Sequence, residues 1–448
     1  MPKTLTLFEH EYTKGFDWTD GELAALERLN RGAGAQILRP TVRAGKRELQ
    51  AAQHVGVVRL GGRAIQILPK IHRVGGASAE ERFEEATHNL LHLLAYAGHL
   101  PVREHEVTPL LRHGDDWFEI LTRLFASHLL EEWQRGAYRN YQVVEAESPV
   151  LKGKWHVGEQ FRHPHRGHLF AVAFDEFTAD NPLNRVFRFA VERLWRLTRD
   201  GANRRMLGDL RQWMEEVELR PGMTAAEAAG VALTRLNRRF EPLLNLALLF
   251  LEGGALRMSV GDTRAFAFTF DMNRLFESFI VNFIQRHREE ILSRELASCE
   301  LLPQSREATL YLARSDGRGV FLLKPDLAFR RGGEFPLLVD AKYKRLDGAD
   351  VRLGVSESDF YQMHAYARRY GCDRVVLIYP QTAGMRNPLR ARFAVEGAGV
   401  SIIAATVNLQ VALGRRSGRD SLIEELRNIL GKDDYDGRSV IYPVAAGA

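Results

Sequence analysis

The sequence predicts a multidomain protein of mixed α and β structure (α/β class), and three observations carry that reading. Its 448 residues amount to roughly three domain lengths. Its hydrophobic period changes from about two over the first 75 residues to about 3.6 between Asn181 and Gly253. From Asp271 onward the pattern runs helix, strands, helix, strand, as in a sheet covered by helices. The expected organisation is an N-terminal region over 1–260, a C-terminal domain over 261–430 and a tail over 431–448. Within the first region, residues 1–75 are expected to be β-rich, 76–180 to mix helices and strands, and 181–254 to be helical.

Composition narrows the class. With 45% hydrophobic and 27% charged residues the chain reads as soluble and globular. Its most apolar run, Leu244 to Leu251, is far shorter than the ~18 residues that span a bilayer. Charges also interrupt the first residues, MPKTLTLFEHEY, so a cytoplasmic protein with no membrane partner is expected. The two cysteines, Cys299 and Cys372, exclude a disulfide framework and a four-cysteine cluster within one chain. A net charge of +5 leans toward a polyanionic partner, but only slightly, because 62 basic residues are interleaved with 57 acidic ones.

The elements follow in order. VGVVRL, Gly61-Gly62 and AIQILPKI form a hairpin signal between His54 and Ile71. Ser78 with Glu81 makes a capping box for a helix that stops at Gly98. A second helix is expected from about Asp115 to Arg135, with Phe118, Leu121, Phe125, Leu129 and Trp133 at helical spacing. Strand-like alternation returns between Tyr138 and Phe177, broken by Pro149, Gly153 and Gly158. His163, His165 and His168 in this stretch lack the cysteine or acid that would complete a tetrahedral metal set, so an exposed loop is expected, with phosphate contact as its functional alternative. Asn181-Pro182 opens a helix to about Arg199, Thr224 with Glu227 makes another capping box, and Pro242 starts a helix ended by Gly253-Gly254. Asp271 caps the next helix, whose buried stripe is Leu275, Phe276, Phe279, Ile280, Phe283 and Ile284, with Glu277 at its border. Further on, Ser358 or Asp359 opens FYQMHAYARRY, closed by Gly371, and Arg374 to Tyr379 is a buried strand. Two more strands are expected at Ala391–Glu396 and Val400–Val407, and a last helix at about Leu422–Leu430.

The chemistry gathers between Val320 and Leu346. VFLLKPDLAF reads as one strand, with Phe321, Leu323, Pro325, Leu327 and Phe329 on one face and Lys324, Asp326 and Arg330 on the other. FPLLVDAKYKRL reads as a second, with Asp340, Lys342 and Lys344 on one face. Arg331-Gly332-Gly333-Glu334 supplies the turn between them. Two carboxylates on adjacent strands repel unless a cation or proton lies between them. Magnesium takes hard oxygen ligands of this kind and supplies what phosphodiester hydrolysis needs, an activated water and charge compensation. Asp326 and Asp340 are therefore candidate ligands and Glu277 a candidate third. Lys342 can reach the water or the phosphate as a point charge, or as a proton acceptor if its pKa is lowered. Lys344 and Lys324 are candidates for phosphate contact.

The order PD, thirteen residues, DAK, with a helix before and a helix and strand after, resembles the PD-(D/E)xK nuclease signature. Gln362 and Tyr366 are similar to the Q-x-x-x-Y motif of RecB-like and Cas4-like members, which the resemblance places at the site and the DNA. LKGKWHVGEQF, FDEFTADNPLNRVFRFAVERL, FDMNRLFESFIVNFI, KPDLAF…LLVDAKYK and DFYQMHAYARRYG together resemble the McrC family, the nuclease subunit of McrBC-type modification-dependent restriction systems. That resemblance implies a C-terminal PD-(D/E)xK restriction-endonuclease-like domain and cleavage of double-stranded DNA near methylcytosine. It also implies Mg2+, with Mn2+ able to substitute, and a McrB-like AAA+ GTPase hexamer that the N-terminal region engages and stimulates. The chain itself carries no G-x-x-x-x-G-K-[ST]. A stand-alone RecB-like or Cas4-like exonuclease and a non-catalytic scaffold for a partner NTPase are the competing readings.

Overall fold

The computed structural model describes residues 4–14, 17–43, 45–61, 63–72, 79–98, 117–162, 168–252, 256–260, 263–304, 309–382, 385 and 387–431. Ser78 of the first capping box, His163, His165, the Gly253-Gly254 stop and the tail from 432 lie outside the described residues. The chain divides into two compact units, Met1–Arg112 with Leu256–Ala448, and His113–Ala255.

The first unit holds two large sheets. One contains β1 (Thr4–Phe8), β2 (His54–Leu60), β3 (Arg63–Leu68), β4 (Leu256–Val260) and β5 (Thr263–Asp271) in the order β1-β3-β2-β5-β4. Because β5 pairs with β2 from Ala265↔Leu60 to Asp271↔His54, the first seventy residues group with the C-terminal half. Gly56 makes that pairing possible: a Cβ there would stand 2.1 Å from the Phe268 carbonyl oxygen, at a φ of +144°. The stretch expected to be β-rich also contains a helix, α1 (Asp20–Ala33), packed on this sheet through Ala25, Leu26 and Leu29. Its signals are local, a Thr19–Glu22 capping box and Gly34 in the left-handed conformation at its end. Downstream, α2 (Ala79–Tyr96) packs against α3 (Met272–Arg286), whose N-cap is Asp271 as expected.

The second sheet carries the candidate site. Its strands are β6 (Glu300–Pro303), β9 (Leu327–Arg331), β10 (Glu334–Ala341), β11 (Arg374–Pro380), β12 (Arg390–Val395) and β13 (Val400–Val407), in the order β6-β9-β10-β11-β13-β12. The intervening β7 (Leu310–Ser315) and β8 (Arg318–Leu323) form a separate two-stranded ribbon. Hence VFLLKPDLAF is two strands in two sheets, not one: Pro325 lacks an N–H for a ladder, and Phe321 stands at a φ of +57°. The turn between β9 and β10 is the expected one, with Gly332 and Gly333 both at positive φ. α4 (Glu357–Tyr370) packs Met363, Tyr366, Ala367 and Tyr370 on Leu338, Val375, Leu377 and Ile402. By alternation Leu337, Val339 and Val376 face the other side, where α3 meets β10 and α5 (Arg416–Leu430) meets β13. The N-cap of α4 is Ser356, two residues before the expected start; its hydroxyl accepts from the Asp359 N–H, leaving the Asp359 carboxylate free for another partner.

The second unit is built on the expected signals. Helices run over Trp117–Gln134, Pro182–Leu197 with Asn181 as N-cap, Gly201–Trp213, Ala225–Ala229 with its Thr224–Glu227 box, and Glu241–Glu252. A buried Glu119 ties them together, accepting from the Thr198 hydroxyl at 2.6 Å and the Arg199 N–H at 2.9 Å. A three-stranded sheet combines Asn140–Ser148, Phe170–Thr178 and Lys154–Trp155. Among the described residues no helix is long and apolar enough to cross a membrane.

Gly56→Ala is expected to destabilise the first unit by roughly 2–4 kcal/mol, since the clash is with backbone and no side chain can yield. Thermal unfolding of the variant, read as a fall in Tm, checks this.

Candidate active site

The two acids meet because of strand register. β9 pairs with β10 at Leu327↔Val339, so Asp326, one residue before β9, and Asp340, within β10, are the next opposed pair. Both are nearly inaccessible, at 6% and 2% exposure. The Ala341 N–H donates to Asp326 Oδ2 at 2.8 Å, tying the Lys324-Pro325-Asp326 turn to the strand that bears Asp340. Gln304 completes the hold: its side-chain amide donates to Asp326 Oδ1 at 2.9 Å and its N–H to the Asp326 carbonyl at 2.9 Å. Gln304 has a φ of +35° and follows Pro303, which pairs with Leu327 in the β6–β9 ladder. It belongs to no sequence motif; only the register brings it here.

The electrostatics follow from burial. Desolvation and the neighbouring Asp326 push the Asp340 carboxyl up to about 7, with Glu277 adding to the rise and Lys342 opposing it. Asp326 is also raised by burial, against the bonds from Ala341 and Gln304 and the nearby Lys342 and Lys324. Glu277, half-buried on α3, is pushed up to about 7 by burial and by Asp326. The structure thus brings Glu277, Asp326 and Asp340 into one electrostatic cluster. Lys342 lies one residue beyond β10, with Nζ 2.6 Å from Asp340 Oδ2. Burial lowers its pKa, but Asp340 and Asp326 more than offset that and the net direction is upward. The lowered pKa needed for a proton acceptor is not what this arrangement produces; Lys342 is held as a cation.

The remaining candidates sit around the same turn. Tyr366 donates to the Lys324 carbonyl at 3.3 Å, accepts from the Lys324 N–H at 3.4 Å and accepts from the Gln362 amide at 3.1 Å. Gln362 and Tyr366 therefore support the PD turn from α4, while the Lys324 side chain is exposed beside Asp326. Lys344 is engaged by protein, with Nζ 2.9 and 2.7 Å from the two oxygens of the buried Asp359. His168, the described member of the histidine group, belongs to the second unit and not to this cluster.

A second buried network braces the same segment from the N-terminal sheet. Tyr343 donates to Glu9 Oε2 at 2.7 Å, and the Lys70 N–H donates to that oxygen at 2.8 Å. Lys70 Nζ donates to the Tyr343 carbonyl at 3.2 Å and lies 4.3 Å from the centre of its ring. The residue after Lys342 is thus fixed by groups 273 and 334 positions earlier, Lys70 and Glu9.

The donor set consists of carboxylate oxygens, and buried acids that repel one another fit a hard divalent cation. Asp326 and Asp340 could hold one, with Glu277 nearest as a third. Among the described residues no three metal-ligating side chains already stand at ligand spacing. Two carboxylates with water and phosphate oxygens would satisfy magnesium without a third.

Asp340 ordinarily titrates near 3.8 and folding raises it to about 7. The stability associated with its protonated form is complete below pH 3.8 and is lost as pH rises through 7. Asp340→Asn is therefore expected to stabilise the metal-free protein at pH 8 by about 1–3 kcal/mol, with the gain shrinking toward pH 5. Tm measured across that range in chelator checks the sign.

Comparisons with known proteins identify the family. The family profile described as McrBC 5-methylcytosine restriction system component matches residues 49–380, which takes in Lys70, both acids and α4. A chain from the tetradecameric assembly of Thermococcus gammatolerans McrB AAA+ hexamers with bound McrC has a TM-score of 0.61 and 25% identity, covering 95% of this chain and 100% of that one. A chain of the Thermococcus gammatolerans McrBC complex has a TM-score of 0.48 and 26% identity, covering 64% of this chain and 88% of that one. No curated protein matches. With its profile spanning most of the sequence, from the N-terminal sheet through the acids to the end of β11, the chain belongs to the family of McrBC 5-methylcytosine restriction system components.

Proposed function

We propose that this chain is the nuclease subunit of its restriction system, a Mg2+-dependent DNA endonuclease that acts with a McrB-like AAA+ GTPase hexamer on methylcytosine-containing double-stranded DNA. The observation that carries the reading is the opposed, buried pair Asp326 and Asp340 with the Lys342 ammonium 2.6 Å from Asp340. The solved assembly of McrB AAA+ hexamers with bound McrC supports the partner, since its similar chain is covered in full.

Asp326 and Asp340 would hold the cation, with Glu277 beside them. When bound, magnesium supplies charge compensation for a phosphodiester and a lowered pKa for water. The protein's own contributions are positional and electrostatic. The Ala341 N–H and the Gln304 amide hold the two oxygens of Asp326 in fixed directions beside the strand that carries Asp340. Lys342, protonated, offers a point charge to the scissile phosphate or to the oxygen on which negative charge grows. Gln362 and Tyr366 keep the Lys324 peptide in place and so hold the exposed Lys324 ammonium near the path of the backbone.

Asp340→Ala is expected to lower Mg2+-dependent cleavage of methylated DNA by at least about 10³-fold, several kcal/mol of lost charge stabilisation. Stimulation of the partner's GTPase should persist in that variant. Cleavage that survives the substitution would end the nuclease reading in favour of a scaffold. A further expectation concerns pH. Because Asp340 and Glu277 titrate near 7, protons compete with the metal below that value. Mg2+ affinity should fall roughly tenfold for each displaced proton per pH unit between 7 and 6. Calorimetric titration of the full chain with MgCl2 at several pH values reads this directly, and a flat profile would contradict it.

A further inference from the structure

The ribbon β7–β8 departs from the habits of a folded chain. A lone pair of strands has little intrinsic stability, and most residues of this one are exposed, with Leu310 and Leu323 anchoring its base in the core. Four large apolar side chains on it face solvent: Tyr311 at 47%, Leu312 at 48%, Phe321 at 73% and Leu322 at 55%. Tyr311 opposes Leu322 on one face and Leu312 and Phe321 alternate to the other, so the ribbon offers apolar side chains on both faces, as an interaction element does. Phe321 is also held at a φ of +57°, which a β-substituted residue adopts at a cost, so the backbone is strained in order to present the ring. Gly319 makes room for Tyr311 across the ribbon, where a Cβ would come within 2.4 Å of the ring.

The ribbon is rigidly attached despite its exposure. Arg369 of α4 donates to the Tyr311 carbonyl at 2.8 Å, and Tyr370 donates to the Leu323 carbonyl at 3.0 Å. Three residues after Leu323 comes Asp326. The base of the ribbon and the turn that carries Asp326 are therefore one continuous segment.

Charge identifies the occupant. Arg314 and Arg318 flank the Asp316-Gly317 turn, exposed and without an ion pair among the described residues. Lys324 is exposed at the base. Two basic residues at the tip, an ammonium at the base and exposed apolar groups between them match a duplex, whose grooves admit a two-stranded ribbon and whose backbone is anionic. Apolar wedges against base steps are a recurrent companion of such insertion.

We propose that β7–β8 is a DNA-docking element that enters a groove of the duplex, with Arg314 and Arg318 on phosphates and Phe321 against the bases. This rests on the nuclease reading above and names the surface that delivers the substrate to it. The test uses the full chain, a short labelled duplex and buffer with chelator, so that binding is read without cleavage. Arg314→Ala with Arg318→Ala should weaken binding and make the slope of log affinity against log salt shallower by about 1.8, two phosphates at 0.9 each. Arg314→Lys with Arg318→Lys should restore the slope. Phe321→Ala should weaken binding several-fold with the slope unchanged, and should abolish the fluorescence rise of a 2-aminopurine placed at the contacted step. An unchanged slope in the double alanine variant overturns the proposal, and the nuclease reading still stands if Asp340→Ala is inactive in a parallel cleavage assay. If the double variant keeps its DNA slope but loses stimulation of the partner GTPase, the ribbon is a protein-docking surface and the proposal falls. Survival of cleavage in Asp340→Ala would sink the nuclease reading whatever the ribbon does.

Discussion

The hydrogen bond from the Ala341 N–H to Asp326 is the constraint on which the site depends. β10 ends at Ala341, and the PD turn begins where β9 has not yet started. Without a tie between these two ends, opposed carboxylates would separate, because burial and mutual repulsion both favour that. The tie is reinforced from three directions: Gln304 from the end of β6, Tyr366 from α4 and the continued ladder from Lys342 N–H to the Ile378 carbonyl at 2.8 Å. A fold that holds repelling charges together stores unfavourable energy, and a cation that relieves it binds more tightly for that reason.

The brace of Glu9, Lys70 and Tyr343 extends the same logic to the N-terminal sheet. Glu9 is 1% exposed, and burial raises its pKa while Lys70 and the Tyr343 hydroxyl oppose the rise. Burial lowers Lys70, and Glu9 opposes that. Each charge is tolerable only beside the other, so the β1 and β3 ends must remain packed on the segment that carries Lys342. The grouping of residues 1–112 with 256–448 has the same cause, for β4 and β5 finish a sheet begun by β1, β2 and β3. An expectation that places 1–260 in one region and 261–430 in another follows chain order, whereas the contacts follow the sheet.

What the sequence made legible were features encoded locally. Asp271, Asn181 and Thr224 with Glu227 are caps whose side chains satisfy nearby N–H groups, and each opens the helix expected of it. The Gly332-Gly333 turn and the apolar VVLIY of the strand from Arg374 are equally local. Alternation failed in VFLLKPDLAF because a period of two continues across a proline that the ladder does not tolerate. It put Asp326 on the right side for the wrong reason: the residue is in a turn, aimed by register and hydrogen bonds. Gln304 and Lys70 were beyond reach altogether, being brought in by pairings 22 and 273 residues apart. The partner of Lys344 is hidden from the sequence for a related reason, since Asp359 arrives only when α4 folds back beside it.

Charge placement around Lys342 and Lys344 separates two lysines that the sequence presents as equivalents. Lys344 faces an acid of α4 that also sits in its first turn, where the helix dipole favours a negative charge. That carboxylate is stabilised without a metal, and the lysine it holds is a structural cross-link between the end of β10 and α4. Lys342 instead faces Asp340, whose carboxyl is pushed to about 7 by its surroundings and gains from any added positive charge. In the metal-free chain the ammonium is that charge. The two lysines, two residues apart, thus differ in what holds them: Lys344 a carboxylate at a helix start, Lys342 a buried carboxylate raised by its neighbours.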